Sequence, residues 1–189
     1  TATPTVTPTP PGVALLTADA AGTLTQAVSL TSGDGKLVAR ISSGTKALSA
    51  AGQPLSSITA QAVATLPPAT PSQQVIGLPY DLGPNGAAFN PPIEVTFSYD
   101  PNSLSTGVDP QSLVIAFYDS GQSKWVPLNN IVVTPATRSI SGRTSHFTLF
   151  AVVRAVAQPT PTPISTPTST PAPTPTVTPT PIVTPTPKV

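Results

Sequence analysis

At 189 residues, with 8 basic against 7 acidic side chains and a formal charge of +1, the chain lacks the clustered positive charge that nucleic acid or an anionic membrane would select. It has no cysteine, which removes disulfide frameworks, thiolate metal sites and thiol redox chemistry. No apolar run approaches the roughly 20 residues of a membrane-spanning helix, so no membrane insertion is expected.

The first segment, 1–12, reads TATPTVTPTPPG. Proline fixes φ near the polyproline II value and disfavours helix at the preceding residue, so Thr-Pro alternation predicts a stiff, extended linker. Val13, Ala14, Leu15 and Leu16 follow as a short apolar strip. Two roles are open to it: the first strand of its own sheet, or an assembly strand that lies against the next domain and adds to an exposed sheet edge.

From Val13 to Val156 apolar, polar and turn residues mix as they do in a folded domain. Eight runs alternate or are continuously apolar, with β-branched and aromatic content: GTLTQAVSLTS from Gly22, GKLVARIS from Gly35, SSITAQAVA from Ser56, QVIGLPYDL from Gln74, IEVTFSY from Ile93, SLVIAFYD from Ser112, NIVVTP from Asn130 and SHFTLFAVV from Ser145. Between them stand SGDG, AAGQP, GPNG, NPP, DPNS and SGQSKW, which carry turn chemistry. The pattern predicts an all-β fold, an antiparallel β-sandwich spanning 13–156. Its expected core is Leu30, Leu37, Val38, Ile41, Ile58, Val63, Val75, Ile76, Val95, Phe97, Leu113, Ile115, Phe117, Trp125, Ile131, Val133, Ile140, Phe147, Leu149 and Val152. Tyr80, Tyr99 and Tyr118 are expected at sheet margins, where their hydroxyls reach partners.

Within this domain, Asp100, Asn102 and Asp109 in YDPNSLSTGVDPQS offer hard oxygen ligands of the kind calcium takes. The spacing is not that of an EF-hand, and Asp-Pro-Asn-Ser is also what a plain turn requires, the Asp side chain accepting from the amide two residues on. Trp125 with Tyr118 and Phe117 has two readings as well: a stacking platform for sugars, or a hairpin tryptophan packed on its neighbouring strand.

The last segment, 157–189, returns to the composition of the first, and Thr174–Pro181 repeats Thr3–Pro10 letter for letter. Such a stretch cannot bury enough apolar surface to offset its ordering entropy and is expected to stay extended. At about 3.1 Å per residue, 159–189 reaches on the order of 95 Å. Dense Thr and Ser between prolines is also the composition of O-glycosylated stalks. The candidates for glycosylation are Thr5, Thr7, Thr9, Thr160, Thr162, Thr174, Thr176, Thr178 and Thr184.

The segment SGDGKLVARISSGTKALSAAGQPLSSIT, then YDLGPNGAAFNPPIEVTFSYDPNSLSTGVDPQSLVIAFYDSGQSKWVPL, and the closing SHFTLFAV together resemble the ZU5-like β-sandwich domains of prokaryotic extracellular and surface proteins. The resemblance covers roughly Gly22 to Val153 and departs at Ile41-Ser42-Ser43-Gly44, where many relatives carry Ile-Pro-x-Gly. It implies a structural or assembly module, repeated or joined to other surface domains. In related eukaryotic ZU5 domains a His-apolar-Ser/Thr tripeptide at a strained turn cleaves itself. Carried over, Thr148 would be the nucleophile, Phe147 would provide the scissile carbonyl and His146 would be the base. The plain alternative is an ordinary last strand, with Phe147 and Leu149 facing in and His146 and Thr148 facing out.

One histidine, no Gly-rich phosphate loop and no close carboxylate pair argue against an enzyme, and no cofactor is expected. With no methionine in the chain, Thr1 is expected to begin a processed product or an excerpt. A nearly neutral β-domain between identical stiff spacers fits an extracellular, prokaryotic structural protein. Its expected role is subunit or repeat unit of an O-glycosylated surface filament built head to tail, with copies of itself and covalent glycans as partners. The other role it fits is a spacer or carbohydrate-binding module of a larger adhesin.

Overall fold

A computed structural model of the chain describes residues 12–65, 67 and 73–155. The Thr/Pro-rich linkers other than Gly12, and every O-glycosylation candidate, lie outside these residues.

Twelve strands are described: β1 (Val13–Leu15), β2 (Val28–Thr31), β3 (Leu37–Ile41), β4 (Lys46–Leu48), β5 (Ser57–Ala62), β6 (Gln73–Gly83), β7 (Ala88–Ser98), β8 (Leu113–Asp119), β9 (Lys124–Pro127), β10 (Asn129–Thr134), β11 (Ser139–His146) and β12 (Leu149–Ala155). The first sheet runs in the order β1-β5-β6-β12-β8-β9 and the second β10-β11-β7-β3-β2, with β4 also pairing β7. Every pairing is antiparallel, and the two sheets face each other as the predicted β-sandwich.

Alternation along the strands decides what enters the core. In β3 Leu37, Ala39 and Ile41 are buried, and in β7 Ile93, Val95 and Phe97, so the period of two delivers one apolar row from each strand to the inter-sheet space. Tyr80 stacks edge-on against Phe97 there, with ring centroids 5.7 Å apart. The first sheet is apolar on its outer face too, where Ala116, Trp125, Ala151 and Val153 form a second buried cluster flanked by Val75, Val114, Tyr118 and Leu149. Covered on both faces, β8 and β12 read as continuous apolar runs.

Several expectations change. Only the second half of GTLTQAVSLTS forms a strand, because Asp19 folds the preceding residues into a turn by accepting from the amides of Ala21 and Thr23. Asn90-Pro91-Pro92 is no turn but the middle of β7, which also starts five residues before IEVTFSY. Lys124 and Trp125, placed in a turn, begin β9. SHFTLFAVV is not one strand: β11 ends at His146 in the second sheet and β12 starts at Leu149 in the first. The alternation resets across this corner, so Phe147 and Phe150 are buried between the sheets while Leu149 joins the outer cluster. Tyr80 and Tyr99 are core residues instead of marginal ones, and Leu24, Leu55, Leu82, Phe89 and Phe150 are core residues missing from the expected set. Val38, Val63, Val75, Phe117, Ile131, Val133 and Leu149 are only half-buried.

At one lateral side, Gly12 ties the sheets together: its amide donates to Thr31 O of β2 at 2.9 Å and its carbonyl accepts from Ala60 of β5 at 2.8 Å. Its φ of +83° and a Cβ position 3.0 Å from Ala60 O suit glycine alone. At the other side Leu128 joins β9 to β10, its amide donating to Ile115 O of β8 at 2.8 Å. Phe97→Ala should cost about 3–5 kcal/mol by urea denaturation, whereas Leu15→Ala, at a side chain 67% exposed, should change stability by no more than about 0.5 kcal/mol.

Candidate functional site

The His146-Phe147-Thr148 corner is held by main-chain bonds to the β6–β7 turn. Phe147 N donates to Ala87 O at 2.9 Å, Gly86 N donates to Phe147 O at 3.0 Å, and Leu82 N donates to Thr148 O at 3.1 Å. The carbonyl that would be attacked thus already accepts a hydrogen bond. The Phe147 ring lies 4.6 Å from that of Phe89, inside the core. His146 turns its ring toward the inner side, edge-on to Phe117 at 4.9 Å and 6.4 Å from Phe150. Thr148 instead lines a hollow of about 310 Å³ with Asp81, Asn85, Tyr118 and Leu149, on the outer side. The residues read as base and nucleophile are neighbours in sequence with different surroundings in space. Burial holds the His146 imidazole below its ordinary pKa, so it stays neutral at physiological pH.

The calcium candidates serve the turns. Asp100 caps the 3-10 turn Pro101–Ser103 by accepting from Asn102 N at 2.9 Å, and Asp109 caps Pro110–Ser112 by accepting from Gln111 N at 2.9 Å. Asn102 enters this pattern through its main chain. Among the described residues no three His, Cys, Asp or Glu side chains come together as metal ligands would. The repeated Asp-Pro-x-Ser-Leu, at 100–104 and 109–113, is the sequence signal of the two matched caps.

Trp125 is 1% exposed, its ring 5.3 Å from Tyr118. Phe117 faces the opposite side of the sheet, so the three aromatics form no common platform and the tryptophan offers no face to a sugar. Its indole Nε1 is buried without a hydrogen-bond partner among the described residues.

Val13, Ala14 and Leu15 form β1, paired with their own β5 in the register Val13↔Thr59, Ala14↔Ile58, Leu15↔Ser57. Ala14 and Leu16 are buried and Leu15 points out. Because β1 is the terminal strand of its sheet, only one of its edges is paired with a strand among the described residues.

Asp34, not singled out by the sequence, links residues distant in the chain. Its carboxylate accepts from Ser32 Oγ at 2.6 Å, from Lys36 N at 3.1 Å and from Tyr80 Oη at 2.5 Å, a residue 46 positions away. Burial raises the Asp34 pKa, but these hydrogen bonds together outweigh it and leave the carboxyl below its ordinary value. Burial, then the bond to Asp34 and its charge, push the Tyr80 phenol above its ordinary range. The pair clamps the β2–β3 turn onto β6.

A depressed histidine pKa has a definite sign: on acidification the unfolded chain takes up the His146 proton first, so stability is lost as pH falls below about 6.5, the ordinary value. Asp34 responds only lower, below its ordinary 3.8. Urea midpoints measured from pH 7.5 downward should therefore show an upper limb that disappears in His146→Phe. The chain matches no known protein family and none of the curated proteins, which leaves the geometry of the sandwich to bear on function.

Proposed function

We propose that the chain is an extracellular structural module, a ZU5-like sandwich carried between stiff, O-glycosylated Thr/Pro-rich spacers and joined head to tail with copies of itself into a surface filament. The observation that carries this reading is the edge strand β1. It follows directly on the N-terminal spacer, has a strand partner on one edge alone among the described residues, and exposes the Leu15 side chain. On the opposite lateral side, β10 is the edge of the second sheet and exposes Val132. A contact between β1 of one copy and β10 of the next uses two different surfaces, and such a contact does not close on itself.

The acidic side chains support a structural role. Of seven acids, Asp19, Asp34, Asp100, Asp109 and Asp119 each accept main-chain amides in turns, and Glu94 pairs with Arg40 at 3.9 Å. Carboxylates engaged in holding turns are poorly placed to act as general acids or bases. A spacer bead in a larger adhesin is the second reading, supported by the same flanking repeats.

Electron microscopy of the native material separates the two: fibres with a domain-sized axial repeat support the filament, and isolated particles or irregular beads support the adhesin spacer. Removing 1–16 would take Gly12, Ala14 and Leu16 out of the fold, so it cannot leave the core intact. Leu15→Asp, which alters an exposed side chain, should keep the melting temperature and abolish fibres; fibres that persist would exclude this edge as the contact. Denaturing mass spectrometry should give one intact chain, and two fragments meeting at Phe147 and Thr148 would establish self-cleavage.

A further inference from the structure

A notch interrupts the outer face of the second sheet. β3 pairs with β7 at Glu94–Phe97 and β4 pairs with β7 at Ala88–Asn90, and between these registers β7 carries Pro91 and Pro92, which have no amide to donate. The resulting hollow of about 270 Å³ is lined by Arg40, Ser42, Thr45, Pro91, Glu94 and Arg143 among others. Register builds it: Glu94 stands opposite Arg40 of β3 on one side and Arg143 of β11 on the other.

Two features mark the notch as a place for a guest. It holds two guanidinium groups and one carboxylate, and the only ion pair among the described residues, Arg40 to Glu94 at 3.9 Å, leaves Arg143 without an acidic partner. Thr45 is only 2% exposed yet lines the hollow, and its hydroxyl makes no hydrogen bond among the described residues. The side chain is thus held in place by its packing while its hydroxyl, free of a partner among the described residues, opens onto the hollow, where a ligand atom can meet it.

We propose that this notch binds one uronic acid residue of an acidic polysaccharide. The local excess of one positive charge matches a single carboxylate, for which Arg143 supplies the two-pronged donor. Ser42 and Thr45 offer hydroxyls to those of the ring, and the Pro91-Pro92 surface meets its C–H face. The volume lies just below the roughly 300–1,000 Å³ of ordinary small-ligand pockets, which fits one ring and no more. The assignment uses no part of the filament reading and survives its failure.

The test is a calorimetric titration of the whole chain with trigalacturonate, with maltotriose and sodium acetate as comparators. Saturable binding of trigalacturonate alone is expected. Arg143→Gln should weaken it by about tenfold, the worth of a charged hydrogen bond, and Glu94→Gln should tighten it. Lys36→Gln, away from the notch, should change nothing, and melting temperatures should confirm that all variants fold. Unchanged affinity in Arg143→Gln, equal binding of maltotriose, or no uptake of trigalacturonate would overturn the proposal. Equal binding of acetate would reduce the notch to a plain anion site and overturn the sugar.

Discussion

The two sheets are joined where the β11–β12 corner locks into the β6–β7 turn. Three main-chain hydrogen bonds cross this junction, from Phe147 N, Gly86 N and Leu82 N, and the Phe147 ring closes over Phe89 beneath them. The four strands that meet here include the two longest of the described fold, so the junction sets the spacing and register of both sheets at once. Phe147 enters the inter-sheet core because the chain changes sheets at its own position. That same change sends Leu149 to the outer face.

From this junction the rest of the architecture follows by closure of the sides. Gly12 fastens β2 to β5 through its own amide and carbonyl, and Leu128 leads the chain from one sheet to the other beside β8. Short acidic turns do the remaining work. Asp19, Asp100, Asp109 and Asp119 organise local backbone, and Asp34 reaches across the fold to Tyr80. With most of its few acids engaged in holding turns in this way, the chain leaves its edge strands and outer faces as the surfaces open to other molecules.

Those faces differ. The outer face of the first sheet is an apolar cluster around Trp125, while that of the second bears the Arg40, Glu94 and Arg143 row. Sequence separation hides the row completely. Its three members stand at 40, 94 and 143 in a chain whose basic residues look dispersed, and only antiparallel register brings them side by side.

The period-two alternation and the Gly, Pro, Asn and Asp punctuation determined the fold class and the position of most strands, because both are local consequences of backbone stereochemistry. The Asp-Pro-Asn-Ser turn was legible for the same reason, its hydrogen bond spanning only two residues. Local pattern could not show where the chain leaves one sheet for the other, since SHFTLFAVV alternates plausibly as a single strand. Nor could it show that Trp125 is buried on an outer face, or that Asp34 meets Tyr80. Burial, sheet switching and the meeting of distant charges depend on which strands lie side by side, and that was decided only when the whole core packed.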